Sequence, residues 1–326
     1  MKTNKLFKLH SVNDFNKTAL NIFRFQATNN LVYQKFLSLL NTDISSIKNI
    51  NEIPFLPIQF FKSHTVISST KPIEEVFLSS GTTGVTQSKH FVTDLSIYET
   101  SFNKGFEFFY GSIENFTVLA LLPSYLERDG SSLIYMVNDL IKKSKKPKSG
   151  FYLNNLDKLW KNLVELDQKG EKILLIGVSF ALLDLVEKFN FNLKNTIVIE
   201  TGGMKGRRKE LIREELHEIL CKGFGVEKIH SEYGMTELLS QAYSKGNGIF
   251  ECPPWMKILT RDTEDALTIL PEGKSGGINV IDLANINSCS FIATQDLGKT
   301  YTNGTFEVLG RFDNSDIRGC NLLVLK

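Results

Sequence analysis

The feature that most restricts the fold is a unit repeated between residues 116 and 224: an apolar run of strand length, a break of small or polar residues, then an amphipathic helix. Residues 116–122, 172–176 and 196–200 are such runs. They are near-continuously apolar rather than alternating, the pattern of strands buried on both faces. Residues 131–143 set Leu133, Val137, Leu140 and Ile141 on one helical face, with Ser131 or Ser132 as N-cap. Leu156, Leu159, Trp160, Leu163 and Val164 repeat the stripe up to Gly170, and Ile212, Leu216, Ile219 and Leu220 form a third inward face. Strand, turn and helix in alternation predict an α/β fold, a mostly parallel sheet covered by helices on both sides. At 326 residues with 42% hydrophobic content, one large domain or two smaller ones are possible.

Upstream, residues 11–50 carry apolar positions at helical spacing and predict two opening helices. Pro54 and Pro57 exclude a helix interior and predict an extended connector over 53–61. The connector feeds a strand at Glu75-Val-Phe-Leu78, which breaks into Ser79-Ser-Gly-Thr-Thr-Gly84. Glycines there permit positive φ and close backbone approach, and the hydroxyls sit beside exposed N–H groups, a composition suited to a phosphate chain. It lacks the Gly-Lys-Ser/Thr ending of a Walker loop, and a polar turn between two elements fits the loop alone equally well.

Other function classes are narrowed by charge and cysteine usage. With 38 basic and 36 acidic residues, the net charge of +2 creates no field for nucleic acid or an anionic membrane. The N-terminus has no apolar signal-peptide core, and the longest nearly apolar run, 173–183, falls far short of the ~20 residues of a spanning helix, so no membrane insertion is expected. Cysteines 221, 252, 289 and 320 form no CxxC pair, so neither a disulfide scaffold nor structural zinc is expected, and the cytoplasm is the expected compartment. Gly177-Val-Ser179-Phe-Ala181 has the outline of a nucleophile elbow, but it ends in Ala and no Asp/His partner can be assigned.

Four stretches occur in one order: Ser79-Ser-Gly-Thr-Thr-Gly84, Tyr233-Gly-Met-Thr-Glu237, Thr294-Gln-Asp-Leu-Gly298 and Gly310-Arg-Phe-Asp313. Together they resemble the adenylate-forming superfamily over about residue 54 to the end. The motifs Ile53-Pro-Phe-Leu-Pro-Ile58 with Phe61-Lys62, Leu122-Pro-Ser-Tyr-Leu-Glu-Arg128 and Asp316-Ile-Arg-Gly-Cys320 resemble the LuxE-type acyl-protein synthetases of bacterial bioluminescence within it. The resemblance implies an acyl-CoA-synthetase-like large domain over 1–309 and a truncated hinge and tail over 310–326, without the usual small C-terminal domain. It implies ATP-dependent activation of a carboxylic acid, a fatty acid by family, to an acyl-adenylate with Mg2+, then transfer to a protein thiol and on to a partner such as an acyl reductase subunit.

By the same resemblance, Ser79, Ser80, Gly81, Thr82, Thr83 and Gly84 cradle the departing phosphates. Gly202, Gly203, Tyr233, Gly234 and Met235 border the adenine, Thr236 meets the α-phosphate, Glu237 holds magnesium, Asp296 accepts from the ribose with Arg311 nearby, and Cys320 takes the acyl group. Each has a plainer reading: Tyr233 and Gly234 as a strand end, Glu237 as a helix first-turn carboxylate, Asp296 as a turn former and Cys320 as a half-buried thiol. Two departures stand out. Gln87 occupies the position of the family's phosphate lysine, with Lys89 two residues on, and only 15 residues follow Arg311, leaving no C-terminal-domain lysine. The alternatives are an aryl or short-chain acid passed to a carrier or amine in a polysaccharide or secondary-metabolite pathway, and a catalytically impaired nucleotide-binding homologue. The 24 phenylalanines suit an acyl tunnel or any core, so chain length is not readable.

Overall fold

The computed structural model describes residues 6–80, 86–123, 130–202 and 211–312. Helices α1 (Val12–Asn29) and α2 (Leu31–Leu39) open the chain, then a short strand β1 (Leu56–Pro57) and the one-turn helix α3 (Phe60–Ser63). β2 (Glu75–Leu78) and β3 (Lys89–Val92) form an antiparallel ribbon apart from the main sheet, and α4 (Leu95–Tyr110) follows. The repeated segment runs β4 (Thr117–Leu121), α5 (Ser132–Ser144), β5 (Gly150–Phe151), α6 (Leu156–Gln168), β6 (Ile173–Gly177), α7 (Ser179–Lys188), β7 (Thr196–Thr201), α8 (Arg213–Phe224) and β8 (His230–Tyr233). Then come β9 (Ala242–Ser244), β10 (Ile249–Glu251), β11 (Met256–Arg261), β12 (Ser275–Asp282), β13 (Phe291–Thr300) and β14 (Phe306–Arg311).

Twelve strands make one mixed sheet in the order β11-β12-β13-β14-β10-β9-β8-β7-β6-β4-β5, with β1 alongside β13. The β5-β4-β6-β7-β8 part is parallel, and β8 meets β9 antiparallel. β4 and β6 are buried at every position, which explains their unbroken apolar sequence. Helix starts follow local chemistry: the side chains of Ser11, Asn30, Ser131 and Asn155 accept from backbone N–H groups of the first turns of α1, α2, α5 and α6. The aminoterminal helices are tied to the far end of the sheet by Gln26, whose amide donates to the carbonyls of Asn285 and Ile286 at 3.0 and 2.9 Å.

Two details differ from the periodicity. The connector is extended only to Pro57, because no proline follows it and Phe60 begins a helical turn that seats Phe61 in the core. On α8, Leu216 and Leu220 are buried, whereas Ile212 is the N-cap residue and 68% exposed and Ile219 is 39% exposed. Only two of the four apolar positions are buried, since Ile212 precedes the first helical residue and Ile219 lies on the flank of the buried stripe, while Gly223 lets α8 approach α7 closely. A Cβ on Gly223 would lie 2.5 Å from Cβ of Val186. Gly223→Ala is therefore expected to lower stability by about 1–3 kcal/mol despite alanine's better helix propensity, read as a reduced denaturation midpoint.

Candidate active site

From β4 the chain moves outward to β5, then crosses back to β6 on the other side of β4. Such a reversal opens a crevice at the carboxyl ends of the strands. A cleft of about 170 Å³ lies there. Its floor comes from Leu122 and Pro123 beyond β4, Val178 beyond β6, Thr201 and Gly202 at the end of β7, and Glu232, Gly234, Met235 and Thr236 from β8 and its turn. Leu78 and Ser80 from the ribbon, Tyr98 from α4 and the first turns of α5 close it from the opposite side.

The turn after β8 is held by buried groups distant in sequence. Asp282, 0% exposed, accepts from Leu239 N at 2.8 Å, Ser240 N at 3.0 Å and Ser240 Oγ at 2.6 Å. Asn285 Nδ2 donates to the Glu237 carbonyl at 2.7 Å, and His90 Nδ1 donates to the Thr236 carbonyl at 2.8 Å. Burial pushes the His90 imidazole down to about 4, so at neutral pH it is the uncharged tautomer with its proton on Nδ1. These contacts present Thr236 to the cleft and leave the Glu237 side chain buried at 5% exposure. Desolvation raises the Glu237 carboxyl, with a Ser88 hydrogen bond and the charges of Lys62 and Arg311 pulling it back.

Tyr233 packs its ring against Phe250 and Phe306, at 6.0 and 5.6 Å between centroids, and its hydroxyl donates to Asp296 Oδ2 at 2.8 Å. Arg311 Nε lies 3.5 Å from Asp296 Oδ1, and the two face each other across β13 and β14. Burial raises the Asp296 carboxyl, while Tyr233, Arg311 and Arg261 hold it down. Arg261 is fixed by donating to the Ile278 carbonyl, Asn279 Oδ1 and the Thr294 carbonyl at 2.7, 2.8 and 2.6 Å.

The structure thus brings Ser80, Gly202, Gly234, Met235 and Thr236 to one cleft, whereas Glu237 is buried and Tyr233, Asp296 and Arg311 form a joined group outside the cleft's lining, with the Arg311 charge acting on Glu237. Ser79 stays at the strand end, its hydroxyl accepting from Ser88 N at 2.9 Å and its carbonyl from Gln87 Nε2 at 2.9 Å. Lys89 is exposed on β3. Gly202 adopts φ 69°, a conformation that favours glycine, and its carbonyl accepts from Ser179 Oγ at 2.6 Å. Gly81, Thr82, Thr83, Gly84, Gly203 and Cys320 lie outside the described residues. Ser179 does begin a helix after a strand, but it is 2% exposed and its hydroxyl is spent on Glu200 and Gly202, so it is no exposed nucleophile.

Sequence reasoning missed Glu232, Asp282, Asn285 and the bracing by His90. Only Glu232 left a signal, an acidic residue within a strand end beside the Tyr233 motif. Among the described residues no three metal-ligating side chains cluster, and no helix is long and apolar enough to cross a membrane. A cleft with the Thr236 hydroxyl, the buried Glu237 carboxyl next to it in the chain and a Tyr–Asp–Arg group whose arginine acts on that carboxyl can bind a polar, anionic ligand across the strand ends and hold a cation by one carboxylate.

The family model described as acyl-protein synthetase, LuxE, matches residues 134–326, more than half of the chain. Among solved structures, 2-hydroxyisobutyryl-CoA ligase in an open conformation with 2-HIB-AMP and CoA superposes with a TM-score of 0.70 at 12% identity, over 93% of this chain and 70% of that one. ATP-bound MatB from Rhodopseudomonas palustris gives 0.55 at 18% identity, over 74% of this chain and 49% of that one. The chain spans about half the length of the MatB structures it matches. These likenesses show the fold, the α/β body with a large mixed sheet found in such ligases. No curated protein sequence matches the chain.

Proposed function

The chain belongs to the LuxE acyl-protein synthetase family, and from that premise we propose that it activates a carboxylic acid with ATP as an acyl-adenylate and passes the acyl group to a protein thiol. The observation that carries the reading is that Arg311, paired with Asp296 and through it with Tyr233, also acts by its charge on Glu237, the neighbour of the cleft-lining Thr236. A carboxylate oxygen of the acid attacks the α-phosphorus, the bond to the bridging oxygen of the β-phosphate breaks, and pyrophosphate leaves. Thr236 donates to the α-phosphate, where charge grows in the transition state. The Gly-rich loop from Ser79 to Gly84 receives the leaving phosphates. Asp296, oriented by Tyr233 and Arg311, accepts from the ribose hydroxyls, and Gly202, Gly203, Gly234 and Met235 border the base.

A magnesium ion would supply charge neutralisation on the phosphates. Glu237 fits it, since a buried carboxyl raised by desolvation is stabilised by a cation, and magnesium is commonly held by one or two carboxylates plus phosphate oxygens. In the second half-reaction a thiolate attacks the acyl carbon and AMP leaves, giving a thioester. Cys320 is proposed as that thiol, with a partner protein, such as an acyl reductase subunit, as the next acceptor. We also place the adenylating domain at 1–309 and the thiol-bearing tail at 310–326.

The experiment is ATP–pyrophosphate exchange across a panel of carboxylic acids, with a fatty acid as the first member, followed by trapping of labelled acid on the protein. Acid-dependent exchange, with label retained by the wild type and lost in Cys320→Ala, supports both half-reactions. Tight ATP binding without exchange for any acid would instead support a nucleotide-binding protein without catalysis. Exchange confined to aryl or short-chain acids with no trapped label would support a carrier or amine acceptor.

A further inference from the structure

The residue in the cleft that the proposed chemistry leaves without a task is Glu232. It lines the cavity on β8, flanked by apolar wall from Leu122, Met136 and Val178. Its Oε2 accepts from Thr201 Oγ1 at 2.5 Å. Its Oε1 occupies the space beside Gly234, where a Cβ would lie 2.3 Å away, so any side chain at 234 would push the carboxylate out of this position. Among the described residues Oε1 takes no hydrogen bond, and no Lys, Arg or His lies within ion-pair distance of the carboxyl. The nearby Tyr98 hydroxyl cannot serve, because it donates to the Ser132 carbonyl at 2.8 Å.

An acidic side chain in such a wall has an unmet acceptor in the part of the cleft lined by Tyr98, Leu122, Met136 and Val178, residues to which the nucleotide contacts proposed above assign no role. A bare alkyl chain would bury that acceptor unpaired, which is unfavourable, whereas a hydroxyl or amine would pair with it. We propose that Glu232 selects the substrate, so that the cleft takes a carboxylic acid carrying a hydrogen-bond donor on its body, a hydroxyl or amino group, in preference to an unsubstituted fatty acid. This rests on the adenylation reading: with the α-phosphate at Thr236, the acid's carboxylate comes to the same turn and its body enters the apolar part of the cleft that the nucleotide contacts leave free. Burial pushes the carboxyl up to about 7, with the neighbouring Glu200 charge acting in the same direction and the Thr201 bond opposing. An ammonium or hydroxyl donor favours the ionised form, while the protonated form can itself donate to a hydroxyl oxygen.

The test uses the full chain and acids of shared skeleton: hexanoic acid, its ω-hydroxy and ω-amino analogues, β-hydroxybutyric against butyric acid, and myristic acid. Exchange with ATP gives kcat/KM, and calorimetric titration in the presence of α,β-methylene-ATP, whose α,β bridge cannot be cleaved, gives binding without turnover. The wild type is expected to favour at least one donor-bearing acid over its unsubstituted partner by at least about tenfold. Glu232→Leu, similar in size, is expected to erase that ratio and improve use of hexanoic or myristic acid, with the circular dichroism spectrum and melting transition checking the fold. Glu232→Gln separates the two donors: it keeps the hydroxy acid and loses the amino acid if the donor is an ammonium.

Equal or better use of the unsubstituted acids by the wild type, or an unchanged ratio in Glu232→Leu, overturns the proposal. If no acid supports exchange, the adenylation reading fails on its own, and the calorimetric ratio still decides the role of Glu232. Absence of any acid binding by calorimetry overturns the proposal as well.

Discussion

Glu237→Ala is expected to reduce acid-dependent pyrophosphate exchange by at least about 100-fold while leaving the protein folded. The loss follows because this buried carboxyl, next in the chain to the cleft-lining Thr236, is the carboxylate proposed to hold the cation that neutralises the phosphates. The fold survives because the neighbouring backbone is held by others: Asn285 grips the residue's carbonyl and His90 the one before it. Stability should even rise with pH relative to the wild type. Burial raises this carboxyl above its ordinary value of 4.5, so the folded state holds the proton longer than the unfolded chain. Its contribution is present below that value and is lost as pH climbs through the higher folded one. Removing the group removes that loss. The difference in melting temperature, variant minus wild type, should thus grow from acid to neutral pH without added magnesium. Exchange near the wild-type rate at saturating magnesium would sink the assignment of Glu237.

Asp282→Ala should be the most damaging single truncation for stability, at about 3–5 kcal/mol. The carboxylate is fully buried and accepts from two backbone N–H groups and a hydroxyl of the 239–240 segment, with Ala284 N at 3.1 Å as a fourth donor. Alanine would leave these donors without water or a partner, and buried unpaired donors cost far more than a hydrogen bond contributes net. Asparagine does not restore the site, because its amide group would point a donor at other donors. The denaturant midpoint of Asp282→Ala, and the exchange activity of whatever remains folded, should both fall, since the segment it anchors continues the Thr236–Glu237 turn. A shift corresponding to under about 1 kcal/mol would show that the turn is held without it.

Lys62 and His90 act through contacts that no local sequence pattern carries. The sequence places both near recognisable segments, yet it does not say that the charge of Lys62 reaches Glu237, or that His90 braces the Thr236 carbonyl from 146 residues away. Glu232 was readable only as an acidic residue beside a motif. Its meaning depends on Thr201 one strand over and on the missing side chain at Gly234.

The sequence by itself determined what is encoded over roughly a dozen neighbouring residues: the doubly buried strands β4 and β6, the capped helices α5 and α6, and the strand-to-loop break at Ser79. Backbone preference and apolar periodicity are local, so they survive in the one-dimensional chain. The order of its motifs also carried the family. Tertiary structure alone decided the β5-β4-β6-β7-β8 order that opens the crevice, the exposure of Ile212 and Ile219, and the joining of Tyr233 to Asp296 across 63 positions. Those outcomes depend on which distant segments pack together and on how much water each polar group then loses, and no local pattern records either.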